Sequence, residues 1–351
     1  MRIAYVTEWD TGSEDGVLKK ITEQIRSWLN EGHETKLFAL SKTGKVWDGL
    51  RDLPKEFIFS PRVRYSIFRF KDIVKKVEHW KPDIVYLRSM MYYPSHEKLL
   101  NLPVVVEINT KEISEIKASS KLWAFYTLVT RGRILSRSRG IVAVTNEIAQ
   151  DVKRFKQPTI VISNGVNIEA YPELPPATNL SPRLVFIGSV NARWHGLEKI
   201  IWLARYFREW HFDIIGPMTD LNINLDNMNT YGNLSKVEYM KIMAAADVAI
   251  GTLALHNKGM DEACPLKVRE YLAFGIPTII GYQDTDFPKP VPFVLQLPNM
   301  PNNVQTHVDR IKEFVLKWKG HRVARAQVLH LDNKIKEKQR LLFFKQLMED
   351  K

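Results

Sequence analysis

The sequence contains one cysteine and no hydrophobic run long enough for a membrane span. Cys264 alone cannot form an internal disulfide or a cysteine-based metal cluster, which fits a reducing compartment. The longest apolar stretches, such as residues 272–282, fall short of the roughly 18 to 20 residues that a span needs. Near the N-terminus, Glu8 and Trp9 stand where a secretory leader would remain apolar. These absences predict a cytoplasmic protein.

Several common site motifs are also missing. The sequence has no Asp-x-Asp of the metal-dependent transferases and no cluster of His and acidic residues, so we expect no metal site. Gly12 and Gly16 are four positions apart and no Gly-Lys-Ser/Thr follows them, which excludes a Walker A loop and a dinucleotide fingerprint. No low-complexity tract indicates disorder.

The length of 351 residues predicts two domains, and apolar runs without polar alternation, separated by helical patterns, predict parallel sheets covered on both faces. The first series has runs at 3–6, 35–40, 83–87 and 104–108. A second series starts at 183–188 and continues at 212–216 and 247–251.

We therefore predict an α/β protein with two doubly wound Rossmann-like domains whose strand ends face a central cleft. The predicted boundaries are 1–168 and 169–330, with a stiff proline-rich connection at 172–179. Residues 331–351 form a charged helix that no strand follows, so it is free to pack on the N-terminal domain. Its apolar positions are Leu341, Leu342, Phe344 and Leu347.

The formal net charge is +12, and the basic excess lies in the first half of the chain. Basic residues alternate with aromatic residues in 62–71, and Lys75 and Lys76 follow. This pattern fits an anionic membrane surface at the inner face of the cell membrane, and it fits equally a solvated face without a partner. No nucleic-acid motif accompanies the charge, so we expect no nucleic-acid partner. A second basic cluster comprises Arg131, Arg133, Arg137 and Arg139.

The strongest local signal lies at residues 259–280. Pro265 suits the first position of a helix and Gly275 its end, which predicts a helix over about 265–274. Lys267 and Glu270 share one face of that helix, and Glu262 precedes it. A helix N-terminus with a cation and two nearby carboxylates favours a diphosphate that carries polyol groups. A weak surface pair between the lysine and the glutamate is the alternative.

The same segment resembles the paired-glutamate motif of the family-four, group-one glycosyltransferases. In this chain the motif consists of Glu262, Glu270 and the segment Pro265-Leu266-Lys267, with Tyr271-Leu272-Ala273, Gly275 and Pro277 after them. Three further segments resemble that family in the same order along the chain: Gly32-His33-Glu34, residues 162–167, and Val185-Phe186-Ile187-Gly188-Ser189 with Trp194-His195-Gly196. The resemblance implies a retaining glycosyltransferase of the GT-B fold.

The resemblance also implies roles for individual residues. Glu262 would bind hydroxyls of the donor sugar and Glu270 the ribose, while Arg193 and Lys267 would neutralise the diphosphate. The remaining implied contacts to the nucleotide, the phosphates or the acceptor come from backbone and small residues. They are Gly12, Gly16, Asn164, Gly165, Gly188, Pro265, Leu266 and Val268. Pro265 itself has no N–H to donate.

Two positions depart from the family pattern. Ser189 follows Gly188 and Trp194-His195-Gly196 occupies the place of a phosphate-binding lysine, so Lys267 is the better phosphate ligand and Arg193 the weaker. The family often has a histidine after an N-domain strand, whereas here Glu107 and Asn109 end the strand at 104–106. They would face the acceptor or the donor sugar, or Glu107 would pair with a nearby arginine.

The sequence thus predicts a metal-independent hexosyltransferase that uses a nucleotide diphosphate sugar as donor and needs no cofactor. The implied acceptor is a glycan or a polyprenyl-linked glycan. Two alternatives are a sugar-nucleotide 2-epimerase of the same fold and a non-catalytic basic binding protein. The intact pair of Glu262 and Glu270 argues against the latter.

Overall fold

A computed structural model of the chain describes residues 1–113, 120–188, 192–216, 225–232 and 234–349, and of Val63 and Arg64 it describes the backbone alone. The chain divides into two compact units. The first comprises Met1–Ser163 and Asn333–Lys351, and the second comprises Asn164–Asp332. The division falls at Asn164, earlier than the sequence-based boundary at 168.

The first unit contains a parallel seven-stranded sheet in the order β3-β2-β1-β4-β5-β6-β7. Its strands are β1 Arg2–Glu8, β2 Glu34–Ser41, β3 Lys55–Phe59, β4 Ile84–Arg88, β5 Val104–Ile108, β6 Gly140–Ala143 and β7 Thr159–Val161. The central strands are buried, which explains their continuous apolar runs. The strand order reverses between β1 and β4, so the carboxyl ends of these two strands form a switch point.

Helices cover this sheet. They are α1 Gly16–Asn30, α2 Val63–Trp80, α3 His96–Leu99, α4 Lys121–Leu135, α5 Asn146–Val152 and α11 Asn333–Glu349. Helix α1 begins where Asp15 Oδ1 accepts the Leu18 N–H at 2.7 Å. It ends at Asn30, and Gly32, which follows the C-cap Glu31, has a φ of 78° in the left-handed region that favours glycine.

The last helix belongs to the first unit. Leu341, Phe343, Phe344 and Leu347 of α11 are buried in the same apolar core as the side chains of α1 and β1. Leu342 is 51% exposed, so the buried face includes Phe343 instead of the predicted Leu342.

The second unit contains a parallel six-stranded sheet in the order β10-β9-β8-β11-β13-β15 and a separate pair, β12-β14. Its strands are β8 Arg183–Ile187, β9 His211–Ile215, β10 Met228–Tyr231, β11 Val248–Ile250, β12 Glu262–Ala263, β13 Thr278–Ile280, β14 Gln283–Asp284 and β15 Val294–Gln296. Its helices are α6 Leu197–Tyr206, α7 Lys236–Ala245, α8 Leu266–Ala273, α9 Asn303–Thr306 and α10 Val308–Trp318. The strand order reverses between β8 and β11. The predicted α/β class with two doubly wound units is confirmed.

Candidate active site

Helix α8 carries the central part of the predicted motif. Pro265 is its N-cap with ψ of 138°, so the helix begins at Leu266, one residue after the first helical position that the sequence predicted. The Val268 N–H donates to the Pro265 carbonyl at 3.1 Å, so this amide serves the helix and is not available to an anion. The first-turn amides outside the helix's own bonds are those of Leu266 and Lys267. At the other end, Gly275 has a φ of 77° and terminates the helix as predicted.

Two side chains of α8 bind the end of β8. Lys267 Nζ donates to the Ile187 carbonyl at 2.9 Å, and Tyr271 Oη accepts the Ile187 N–H at 2.7 Å. Lys267 Nζ also lies 4.2 Å from the centre of the Phe186 ring. Because burial penalises its charged form, the pKa of Lys267 is lowered to about 7. The lysine thus lies at the switch point of the second sheet, where open α/β sheets bind ligands.

The loops that follow β8 and β11 are joined beside Lys267. The N–H groups of Leu253 and Ala254 donate to the carbonyls of His195 and Trp194, both at 3.1 Å. Arg193 lies in the same short turn with an exposed side chain. Ser189, which marks the departure from the family pattern, lies outside the described residues.

Gly188 ends β8 where space is tight. A Cβ at this position would lie 2.4 Å from the Phe186 ring and 2.7 Å from His195 Nδ1. Since the Phe186 side chain is fully buried, it has little room to move. Packing alone therefore requires glycine at position 188, beside the predicted phosphate site, whether or not Gly188 contacts a ligand.

Glu262 lies on β12, which pairs with β14, and its side chain is buried. Arg269 of α8 binds Asp284 of β14 with two hydrogen bonds, at 2.7 and 2.8 Å, and Asp286 with another at 2.7 Å. Its Nε donates to the Asn164 carbonyl at 3.1 Å. This buried arginine therefore connects the helix that carries Glu270 to the strand beside Glu262.

Asn164 joins the same framework. Its Nδ2 donates to the Cys264 carbonyl at 2.9 Å, and its N–H lies 3.4 Å from Cys264 Sγ. Burial raises the pKa of Cys264 to about 11, so its thiol stays protonated and packs as a small side chain. The neighbouring Gly165 is half-buried. Asn164 thus holds the loop that precedes α8, a structural role that the sequence did not reveal.

Glu270 accepts a hydrogen bond at each carboxylate oxygen. Tyr171 Oη donates to Oε1 at 3.0 Å, and Tyr239 Oη donates to Oε2 at 3.3 Å. These tyrosines lie 99 and 31 residues away in the sequence. Because these separations exceed any helical or strand period, no local pattern could have revealed the contacts.

In the first unit, Glu107 at the end of β5 is fully buried in a charged cluster. Lys20 Nζ lies 2.9 Å from its Oε1, and guanidinium nitrogens of Arg88 and Arg340 lie 3.6 Å from its carboxylate oxygens. Burial opposes ionisation, but the charges of Lys20, Arg340 and Arg88 outweigh it and lower the pKa of Glu107. The structure shows the pairing with arginine, and this buried position gives the carboxylate no access to a sugar.

Asn109 is half-buried and belongs to the edge of this cluster. Its Nδ2 donates to Glu107 Oε2 at 3.0 Å, and its Oδ1 accepts from Lys20 Nζ at 2.5 Å.

Gly12 lies in the loop after β1, where a Cβ would come within 2.4 Å of Thr43 Oγ1. Gly16 is the exposed first residue of α1. The close approach at Gly12 is thus to the loop after β2, and a contact with a ligand stays a prediction.

Two general properties bear on the site. Within the described residues, no group of three or more His, Cys, Asp or Glu side chains is placed to hold a metal ion. None of the helices in these same ranges is both long and apolar enough to cross a membrane.

Some known proteins are similar to this chain in sequence or in fold. Residues 15–170 match the model of the family described as Glycosyltransferase Family 4. No curated protein matches the chain significantly. The structure is similar to that of the lipopolysaccharide outer core galactosyltransferase WaaB in its apo form, with a TM-score of 0.72 and 16% identity over 98% of this chain and 100% of that chain.

Two further solved structures share the fold. HepE of Anabaena, in complex with UDP and glucose, has a TM-score of 0.66 and 14% identity over 98% of both chains. The UDP-GlcNAc 2-epimerase of Neisseria meningitidis, bound to UDP-GlcNAc, has a TM-score of 0.57 and 12% identity over the full length of both chains. At these identities the structures establish the fold alone. With the match over residues 15–170, they confirm the resemblance that the motifs indicated: this part of the chain is similar to Glycosyltransferase Family 4, and the chain has the GT-B fold.

Proposed function

We propose that the chain transfers a hexosyl group from a nucleoside diphosphate sugar to a glycan or a lipid-linked glycan, with retention of the anomeric configuration. The observation that carries the proposal is the placement of Lys267 at the end of β8, on the same short helix as Glu270. A cation at a switch point, next to a helix N-terminus, suits a diphosphate. A uridine nucleotide is the first candidate, because HepE has been solved with UDP and glucose.

The proposed roles follow from this arrangement. Glu262 accepts hydrogen bonds from hydroxyls of the transferred sugar, and Glu270 binds the ribose. Lys267, the amides of Leu266 and Lys267, and the exposed Arg193 compensate the charge of the leaving diphosphate. Gly188, Asn164 and Gly165 shape the backbone around it.

The transfer itself is a substitution at the anomeric carbon. The bond between this carbon and the β-phosphate oxygen breaks, and a bond to an acceptor hydroxyl oxygen forms on the same face. The hydroxyl proton passes to a β-phosphate oxygen, and a nucleoside diphosphate leaves. Compensation of the leaving charge by protein groups gives the expectation that no metal ion is needed.

The donor is identified by thermal shift with UDP-, GDP-, ADP- and TDP-sugars. A nucleotide present at 100 times its dissociation constant stabilises the folded state by about 2.7 kcal/mol. The reaction is then followed with donor labelled in the sugar. Label in a glycan supports the proposal, whereas label in an isomerised nucleotide sugar would show an epimerase. Binding of none of the nucleotides would refute the proposed donor site.

We further propose that helices α2 and α4 contact an anionic membrane surface. On α2, Tyr65 and Phe68 are 44% and 68% exposed, and Arg62 and Arg69 are exposed beside them. Arg64, which belongs to the same basic segment, has a side chain outside the described residues. Exposed aromatic rings enter the headgroup layer, and each nearby cation adds about 1 kcal/mol of attraction to anionic lipid.

Helix α4 adds an apolar stripe that the sequence analysis did not single out. Leu122, Phe125 and Val129 recur at helical spacing and are 73%, 66% and 62% exposed. Replacement of Arg62, Arg64 and Arg69 by Gln is expected to weaken binding to vesicles that contain anionic lipid, in a flotation assay. Unchanged binding would exclude α2, and unchanged binding of a Phe125→Ser variant would exclude α4.

A further inference from the structure

The carboxylate of Glu270 is held at both oxygens by neutral donors. Tyr171 follows a short turn at 168–170, and Tyr239 projects from α7, so the two hydroxyls approach from separate elements. Among the described residues, no Lys, Arg or His forms an ion pair with Glu270. Within the part of the chain that the structure describes, the carboxylate is therefore oriented by the tyrosines and not by a cation.

The tyrosines are themselves fixed by packing. The buried Phe274 ring lies 4.8 Å from the Tyr171 ring, nearly perpendicular at 84°, and 6.2 Å from the Tyr239 ring. Phe274 directly follows α8, the helix that carries Glu270. The Tyr171 carbonyl accepts a bond from Arg325 Nη2 at 2.5 Å. Both hydroxyls are therefore held in place before a ligand arrives.

The donor capacity of Tyr239 does not depend on pH in the working range. Burial, followed by the charge of Glu270, raises the pKa of Tyr239 above its ordinary value. An ionised carboxylate has about four acceptor positions, of which the tyrosines occupy one on each oxygen. With the partners that the described residues supply, one position on each oxygen remains, and this is the arrangement that a vicinal diol needs.

We propose that Tyr171 and Tyr239 are positioning residues that orient Glu270 toward the 2′- and 3′-hydroxyls of the donor ribose. The pair thereby sets the preference for a ribonucleotide over its 2′-deoxy counterpart. This inference rests on the proposed role of Glu270 in donor binding. It goes further by assigning the ribose selectivity to two side chains outside the paired-glutamate motif.

The test compares binding of UDP, GDP and ADP with binding of their 2′-deoxy counterparts by calorimetry. The variants are Tyr171→Phe, Tyr239→Phe and the double variant, which keep the ring packing against Phe274. In the double variant the ribo-to-deoxy affinity ratio is expected to fall about tenfold, the scale of one hydrogen bond to a charged group. Donor KM is expected to rise with little change in kcat.

The matched control is Tyr206→Phe, which removes the hydroxyl of an exposed tyrosine on α6 of the same unit. It should leave the ratio unchanged. A purely structural role for the tyrosines would lower the melting temperature without changing the ratio, and that result would overturn the inference.

A Glu270→Ala variant separates the two levels of the proposal. Loss of the ribose preference in this variant, with the preference intact in the tyrosine double variant, would reject the positioning role and keep the donor site. An unchanged affinity of Glu270→Ala for every nucleotide would reject the donor site itself.

Discussion

Donor binding is expected to depend on pH through Lys267. In the free protein its pKa is lowered to about 7 by burial, and among the described residues no carboxylate pairs with it. A diphosphate beside Nζ favours the ammonium form and raises the pKa in the complex. The complex therefore holds more protons than the free protein between pH 7 and the raised pKa. The affinity for the donor is therefore highest below pH 7, and it falls as the pH rises above 7.

The magnitude follows from the free-protein value. Above pH 7 each pH unit costs about 1.36 kcal/mol, because the lysine must be protonated before it can bind the diphosphate. For a pKa of about 7, the dissociation constant is expected to rise roughly 30-fold between pH 6 and pH 8.5, or about 2 kcal/mol.

The assay is calorimetry with an intact nucleotide sugar, whose diphosphate carries no terminal group that titrates in this range. Titrations at pH 8 in two buffers of different ionisation enthalpy should show an uptake of nearly one proton per donor. Lys267→Arg should flatten the profile because a guanidinium stays charged, and Lys267→Met should bind weakly at every pH. A flat profile in the unaltered protein, or an equal slope in Lys267→Met, would refute this reasoning.

Three further predictions concern stability, packing and metal dependence. Arg340→Ala is expected to lower the free energy of unfolding in urea by about 3 to 5 kcal/mol, because the buried carboxylate of Glu107 then lacks one of its positively charged partners. As the control, Leu342→Ala on the exposed side of α11 should lower it by less than about 1 kcal/mol. Gly188→Ala is expected to cost about 1 to 3 kcal/mol through overpacking and to weaken donor binding, while Gly44→Ala, which meets open space, should be nearly neutral in both assays. Prolonged dialysis against EDTA should leave transfer activity unchanged, and its loss, restored by a divalent cation, would contradict metal independence.

Local sequence patterns were sufficient for the α/β class and for the strands in the middle of each large sheet. Continuous apolar runs identified the central strands, because a parallel strand buried on both faces has no polar alternation. Gly32 and Gly275 marked the ends of α1 and α8 correctly, since the left-handed conformation after a helix favours glycine. The other strands escaped prediction, and most of them are only two to four residues long, which is too short to show a period. They are β3, β6, β7, β10, β12, β13, β14 and β15.

Only part of the candidate site could be predicted from local sequence patterns. The motif gave Glu262, Lys267 and Glu270, but not Arg269, whose acidic partners follow β13 and become neighbours only through the fold. Glu107 could not be assigned from the sequence because Arg340, one of its partners, lies on the last helix of the chain. Charge pairs between distant segments leave no periodic signal. The sequence therefore left open whether Glu107 faces a sugar or pairs with an arginine.

The two predicted ligands of the donor depend on their surroundings in opposite ways. Glu270 is oriented by tyrosine hydroxyls, so its contact with a ribose is prepared before binding. Lys267 is bound to a carbonyl and an aromatic ring, neither of which supplies the negative charge that would keep it fully protonated. A bound anion is what shifts Lys267 fully to its charged form. Through Lys267, the diphosphate brings a pH dependence to donor binding. A nucleoside without the diphosphate would therefore lose this proton linkage and keep the ribose contact.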